Sequence, residues 1–122
     1  MDPGLIEYLG GRSLLSQSHG QSLMAYFTSR FKIKGIYFLD EPETALSPKS
    51  QVQLLNLLKD MGRSGHAQFI IASHSPILLA CPGAEILSFD ENPVKQIAYE
   101  DTNHFRIYKA FMADPKKFLL KN

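Results

Sequence analysis

The sequence predicts an α/β fold built on a mainly parallel sheet flanked by helices. The prediction rests on two apolar runs, on what lies between them and on how they end. Ile36-Tyr37-Phe38-Leu39 and Phe69-Ile70-Ile71 are short, rich in β-branched and aromatic residues, and bounded by glycine or polar residues, as buried strands are. Between them, apolar residues recur at helical spacing from Ser47 to about Met61. Strand, helix and strand in that order form a crossover unit. Its right-handed connection makes the two strands parallel. Both runs end in polar groups, Asp40-Glu41 and Ser73-His74.

Composition bounds the rest. The chain has 122 residues, the size of one modest domain, taken as 1–122. Apolar content is 44% and net charge is +1, which is ordinary globular composition. No charge run marks a nucleic-acid tail or a membrane-binding face. No apolar run approaches a membrane span. Met1-Asp2-Pro3-Gly4 lacks the basic and apolar regions of a signal peptide. The single Cys81 permits no internal disulfide, so a reducing, cytoplasmic setting is expected.

Taken in order, the elements are these. Leu5, Ile6, Tyr8 and Leu9 could form a short helix or strand before Gly10-Gly11 breaks it. Leu15-Ser16-Gln17-Ser18-His19-Gly20-Gln21-Ser22 is a small polar turn opening into an amphipathic helix. Leu23, Met24, Phe27 and Phe31 form that helix's apolar stripe, and Ser18 suits its N-cap. By itself this is a capped helix; alternatively, its free N–H groups and positive dipole face an anion. Next comes the first strand, expected to be buried on both faces. A strand so buried tolerates carboxylates only at its end, where Asp40 and Glu41 stand before Pro42.

Ser47-Pro48 then reads as an N-cap followed by proline at the first helical position. Val52, Leu55 and Leu58 share a face, with Leu54 beside them, and Gly62 is the expected stop. The second strand, within 67–72, leads to Ser73-His74-Ser75-Pro76 and a short helix from Ile77 to Ala80. Glu85 to Phe89 and Val94 to Tyr99 read as a hairpin turning at Asp90-Glu91-Asn92-Pro93. Thr102 or Asn103 caps a helix carrying Phe105, Ile107, Tyr108, Phe111 and Met112. Asp114-Pro115 starts a last turn with Phe118, Leu119 and Leu120. These aromatics read as core or interface. A base-stacking platform would interleave them with basic residues in a groove.

Parallel strands place His74 on the same sheet edge as Asp40 and Glu41. Ligands of open α/β sheets sit at the carboxyl ends of strands. Acids and an imidazole converging on that edge therefore form the candidate site.

The order Ser18-His19-Gly20-Gln21, Ile36-Tyr37-Phe38-Leu39-Asp40-Glu41-Pro42-Glu43, Thr44-Ala45-Leu46-Ser47 and Ser73-His74-Ser75-Pro76 resembles the C-terminal half of an ATP-binding cassette (ABC-type) ATPase. It is most similar to the soluble ATPases allied to the SMC and DNA-repair cassettes. The resemblance covers roughly residues 14–80. It implies a partial P-loop NTPase fold and the use of ATP and Mg²⁺. Asp40 would then match the Walker B aspartate that holds Mg²⁺ through water, a hard cation preferring oxygen ligands. Glu41 would match the catalytic glutamate that polarises the attacking water. His74 would match the switch histidine at the γ-phosphate. Ser18, His19, Gly20 and Gln21 would match the signature loop, which binds nucleotide held by the opposite subunit. His19 replaces the more usual glycine there, as in the soluble relatives. Ala45, Leu46 and Ser47 would match the D-loop, with Ser47 where transporters usually carry Asp.

A cassette also needs a P-loop, G-x-x-x-x-G-K-[ST]. In this sequence no glycine is followed by lysine, and no Q-loop is identifiable. The resemblance therefore implies a chain that lacks an N-terminal P-loop half and is inactive alone. Its expected partners are that half and a second cassette subunit; a nucleic acid or a membrane permease has no support in the sequence. With no P-loop strand beside it, Phe69-Ile70-Ile71 would be an open edge, prone to self-association. Two other readings are a non-catalytic interaction module that kept the motifs as scaffold, and a metal-dependent nuclease using Asp40, Glu41 and Glu43.

Overall fold

The computed structural model describes residues 19–90 and 92–121, with side chains described from Gln21 onward. The expectations for Leu5 to Leu9, for Ser18 as a cap and for Glu91 in the hairpin turn lie outside the described residues.

Helix α1 spans His19–Arg30. Its stripe behaves as the spacing predicts: Leu23 and Phe27 are buried, and Phe31 just beyond its end is only 1% exposed. Strand β1, Gly35–Asp40, follows. Helix α2 runs Pro48–Arg63, and strand β2 is Ala67–Ala72. The strands pair in parallel, from Gly35 opposite Ala67 to Asp40 opposite Ala72. The crossover unit is thus present, with helix α2 between its strands. A second sheet is a small antiparallel hairpin of β3, Ile86–Ser88, and β4, Lys95–Ile97. Helix α3, Asn103–Ala113, follows, and Pro115–Phe118 makes a final 3₁₀ turn.

Local chemistry explains the helix starts. Ser47 is extended and its hydroxyl accepts from the Ser50 N–H, with Pro48 in the first turn. Thr102 caps α3 in the same way, accepting from the Phe105 N–H at 3.0 Å. Each cap satisfies a backbone donor that the helix itself leaves free.

The core lies between the helices and one face of the β1–β2 sheet. Leu54 is 0% exposed and sits with Leu23, Phe27, Phe31, Leu46 and Leu58. Phe31 is its aromatic centre. Its ring lies 4.8 Å from Phe69 and 5.0 Å from Tyr37, both edge to face, and 5.4 Å from Phe27. Such pairs add roughly 0.5–1.5 kcal/mol each beyond area burial.

The structure corrects several expectations. Strand β1 is not buried on both faces. Tyr37 and Leu39 pack on the core, but Ile36 is 61% exposed and Phe38 75% exposed. The reason is that α1 and α2 cover one face of the sheet, and no described element covers the other. On α2, Leu54 rather than Val52 points inward, and Val52 is exposed. Gly62 does not stop α2; the helix continues to Arg63, and Gly65 takes the positive φ of 71° that turns the chain toward β2. Ile107, Tyr108, Phe111 and Met112 on α3 are exposed and so do not belong to the core.

Candidate active site

The site is built at the carboxyl ends of β1 and β2. Asp40 ends β1 opposite Ala72. The ladder continues one step, because the Glu41 N–H donates to the Ala72 carbonyl at 2.7 Å. Glu41 then turns sharply. Its φ is 47°, the one positive value among the described non-glycine residues. The left-handed region is unfavourable for a side-chain-bearing residue, and a following proline restricts the backbone further. What holds Glu41 there is its own carbonyl, which accepts from both the N–H and the hydroxyl of Thr44, at 3.2 and 2.9 Å.

Two residues past β2, His74 meets Glu41. Its Nε2 lies 3.7 Å from Glu41 Oε1, and both side chains are exposed. At that exposure the contact contributes little to stability. The pair matters for position: an acid and an imidazole from neighbouring parallel strands face the same space. Asp40 is exposed on this rim, and its carboxylate has no hydrogen-bond or ion-pair partner among the described residues.

Behind this rim lies a hydrogen-bond frame. Glu43 Oε1 accepts from the Ser73 hydroxyl at 2.8 Å, and Oε2 accepts from the His74 N–H at 3.1 Å. One carboxylate thereby ties the loop after β1 to the loop after β2. Buried Ser75 donates to Gln51 Oε1, and its oxygen caps the N–H groups of Ile77 and Leu78. Gln51 Nε2 in turn donates to the Leu46 carbonyl at 3.2 Å. The Tyr99 hydroxyl donates to the Pro76 carbonyl at 2.6 Å. Burial pushes the Tyr99 phenol up from its ordinary value, with Glu100 adding to the shift.

The sequence-predicted residues therefore divide. Asp40, Glu41 and His74 converge on one rim. Glu43 lies behind them, with both oxygens committed to the loop carrying His74. Among the described residues, no group of three His, Cys, Asp or Glu side chains is arranged to hold a metal ion. The set Asp40, Glu41 and Glu43 is accordingly not assembled as ligands. Ala45 and Ser47 are exposed beside the rim, whereas the Leu46 side chain is buried in the core. His19 and Gly20 lie in the first turn of α1, and Gln21 is exposed there. No hydrogen bond or ion pair among the described residues joins Gln21 to Glu41 or His74. Reading the sequence alone missed Gln51, Tyr99 and His104, whose Nε2 is 3.0 Å from His74 Nδ1. A mid-helix glutamine and a helical histidine carry no local signal of such partners.

The fold and a family match together define the class: an α/β domain of the P-loop-type ATPases. Residues 12–80 match the profile of the family described as "AAA domain, putative AbiEii toxin, Type IV TA system", and the chain belongs to that nucleotide-hydrolase family. No curated protein matches the chain. Among solved structures, it is similar to one described as "Structural biochemistry of ATP-driven dimerization and DNA stimulated activation of SMC ATPases", with TM-score 0.56 and 16% identity. The match covers 88% of this chain and 65% of that one. This likeness is one of fold. No helix among the described residues is long and apolar enough to cross a membrane.

Proposed function

We propose that this chain supplies the hydrolytic rim of an ATPase whose phosphate-cradling loop and second subunit come from elsewhere. The juxtaposition of Glu41 and His74 at the ends of paired parallel strands carries this reading. Glu41 is the group that orients and polarises the attacking water. Its exposed carboxylate and enforced backbone turn suit that task. His74 faces the terminal phosphate. Asp40 fits Mg²⁺, which keeps most of its waters and needs one or two carboxylates beside the substrate's phosphates. When bound, the metal neutralises charge developing on those phosphates. Glu43, Ser73 and Gln51 hold the rim in shape. Ala45 and Ser47, beside the rim, and the signature residues Ser18, His19, Gly20 and Gln21 serve a second copy's nucleotide. In this reading the chain works in the cytoplasm.

The test is turnover of Mg-ATP by the chain alone, by the chain joined to a P-loop half, and by that assembly carrying Glu41→Gln. The chain alone should be inactive. The assembly should turn over, and Glu41→Gln should slow it by at least about 10²-fold. Unchanged turnover would remove Glu41 from its role. The second reading, an interaction module, draws support from the exposed Ile36, Phe38 and Ile70. It predicts tight assembly with no turnover.

A further inference from the structure

His74 stands between two partners, one at each ring nitrogen. Nε2 faces Glu41 Oε1 at 3.7 Å, and Nδ1 lies 3.0 Å from His104 Nε2. The two rings are within 21° of parallel with centroids 5.2 Å apart. Nitrogens so much closer than the centroids mean that the rings meet edge to edge, as an in-plane N–H···N bond requires. A neutral imidazole carries one proton, so one ring must donate and the other accept.

Glu41 decides which. A carboxylate only accepts, so the His74 proton belongs on Nε2, facing it. That leaves a lone pair on His74 Nδ1, and the shared proton belongs to His104. We propose that His104 is a positioning residue: its Nε2–H donates to His74 Nδ1 and fixes His74 as a donor toward the space beyond Glu41. A histidine's working nitrogen is set by what the other nitrogen binds.

The surroundings hold His104 for this purpose. It sits in the first turn of α3, whose cap, Thr102, is buried and also donates to the Tyr99 carbonyl at 2.7 Å. Tyr99 packs edge to face on Phe105 and bonds the Pro76 carbonyl in the same loop as His74. The start of α3 is therefore fastened to the loop it orients. The tautomer assignment stands on geometry alone. Its consequence for turnover rests on the proposed role of His74.

The test is two-bond ¹⁵N–¹H correlation of the histidine rings in the ¹⁵N-labelled chain at mildly alkaline pH, with His74→Gln used for assignment. His74 should show a lone-pair nitrogen at Nδ1 and a protonated Nε2. In His104→Ala, His74 should move toward the averaged signature of two exchanging tautomers. His104→Gln, whose amide can donate from a similar place, should restore the fixed form. A His74 protonated at Nδ1 in the native chain, or a spectrum indifferent to His104→Ala, would overturn the proposal. The native spectrum decides even if a variant fails to fold. In the P-loop assembly, His104→Ala should lower turnover about 10-fold and His104→Gln should recover most of it. Normal ring spectra with turnover indifferent to Glu41→Gln would instead sink the ATPase reading and leave the tautomer standing.

Discussion

At the scale of single residues, Glu41 is the most constrained position. A left-handed backbone costs a side-chain-bearing residue roughly 1–2 kcal/mol, and glycine escapes most of that cost while gaining freedom when unfolded. Glu41→Gly should therefore stabilise the fold by up to about 1 kcal/mol in urea denaturation while abolishing turnover in the P-loop assembly. A destabilised variant would mean that contacts of the glutamate outweigh its strain. Nothing in Asp40-Glu41-Pro42 announces the positive φ, because it is enforced by Thr44 and by the register with β2. Tyr99 offers a pH test. Its phenol titrates higher in the folded chain because of burial and Glu100. Below the ordinary tyrosine value of ~10 it is protonated folded or unfolded, and its contribution is fully present. That contribution is lost as pH climbs through the raised folded value, where ionisation also removes the donor to Pro76. Thermal melts should show a smaller alkaline loss of stability in Tyr99→Phe than in the native chain.

At the scale of elements, local sequence was informative wherever the determinant was local. Ser47-Pro48 and Thr102 cap their helices as their residue types dictate. The apolar stripe of α1 and the β1–α2–β2 order follow from spacing alone. Truncating the centre of that packing, Leu54→Ala, should cost about 2–5 kcal/mol. Thr102→Ala should cost about 1 kcal/mol through the lost cap, and it should also loosen His104, visible as partial loss of the fixed His74 tautomer. What spacing could not settle was inward direction on α2, where Leu54 is buried and Val52, about 160° away around the helix, is exposed. Nor could it show where α2 ends, since Gly62 and Gly65 are both plausible stops and only the turn into β2 selects the second.

At the scale of the whole molecule, the rim was readable and the layering was not. Parallel strands put Asp40, Glu41 and His74 on one edge by topology. An apolar run, however, reads alike whether one face or both are covered, and among the described residues α1 and α2 cover only one. The other face carries Ile36, Phe38 and Ile70, the last 50% exposed. Contiguous apolar surface of this kind binds hydrophobic dyes and promotes association. The double variant Phe38→Lys with Ile70→Thr should bind anilinonaphthalene sulfonate markedly less than the native chain and scatter less light at high concentration, with unchanged far-ultraviolet circular dichroism. The reach of Gln51 has a different consequence. One amide grips the Leu46 carbonyl with its nitrogen and Ser75 with its oxygen, so the two loops share a strut rooted in α2. A neighbour leaning on Ala45 or Ser47 would press on the loop that this strut ties to Ser75, the residue next to His74.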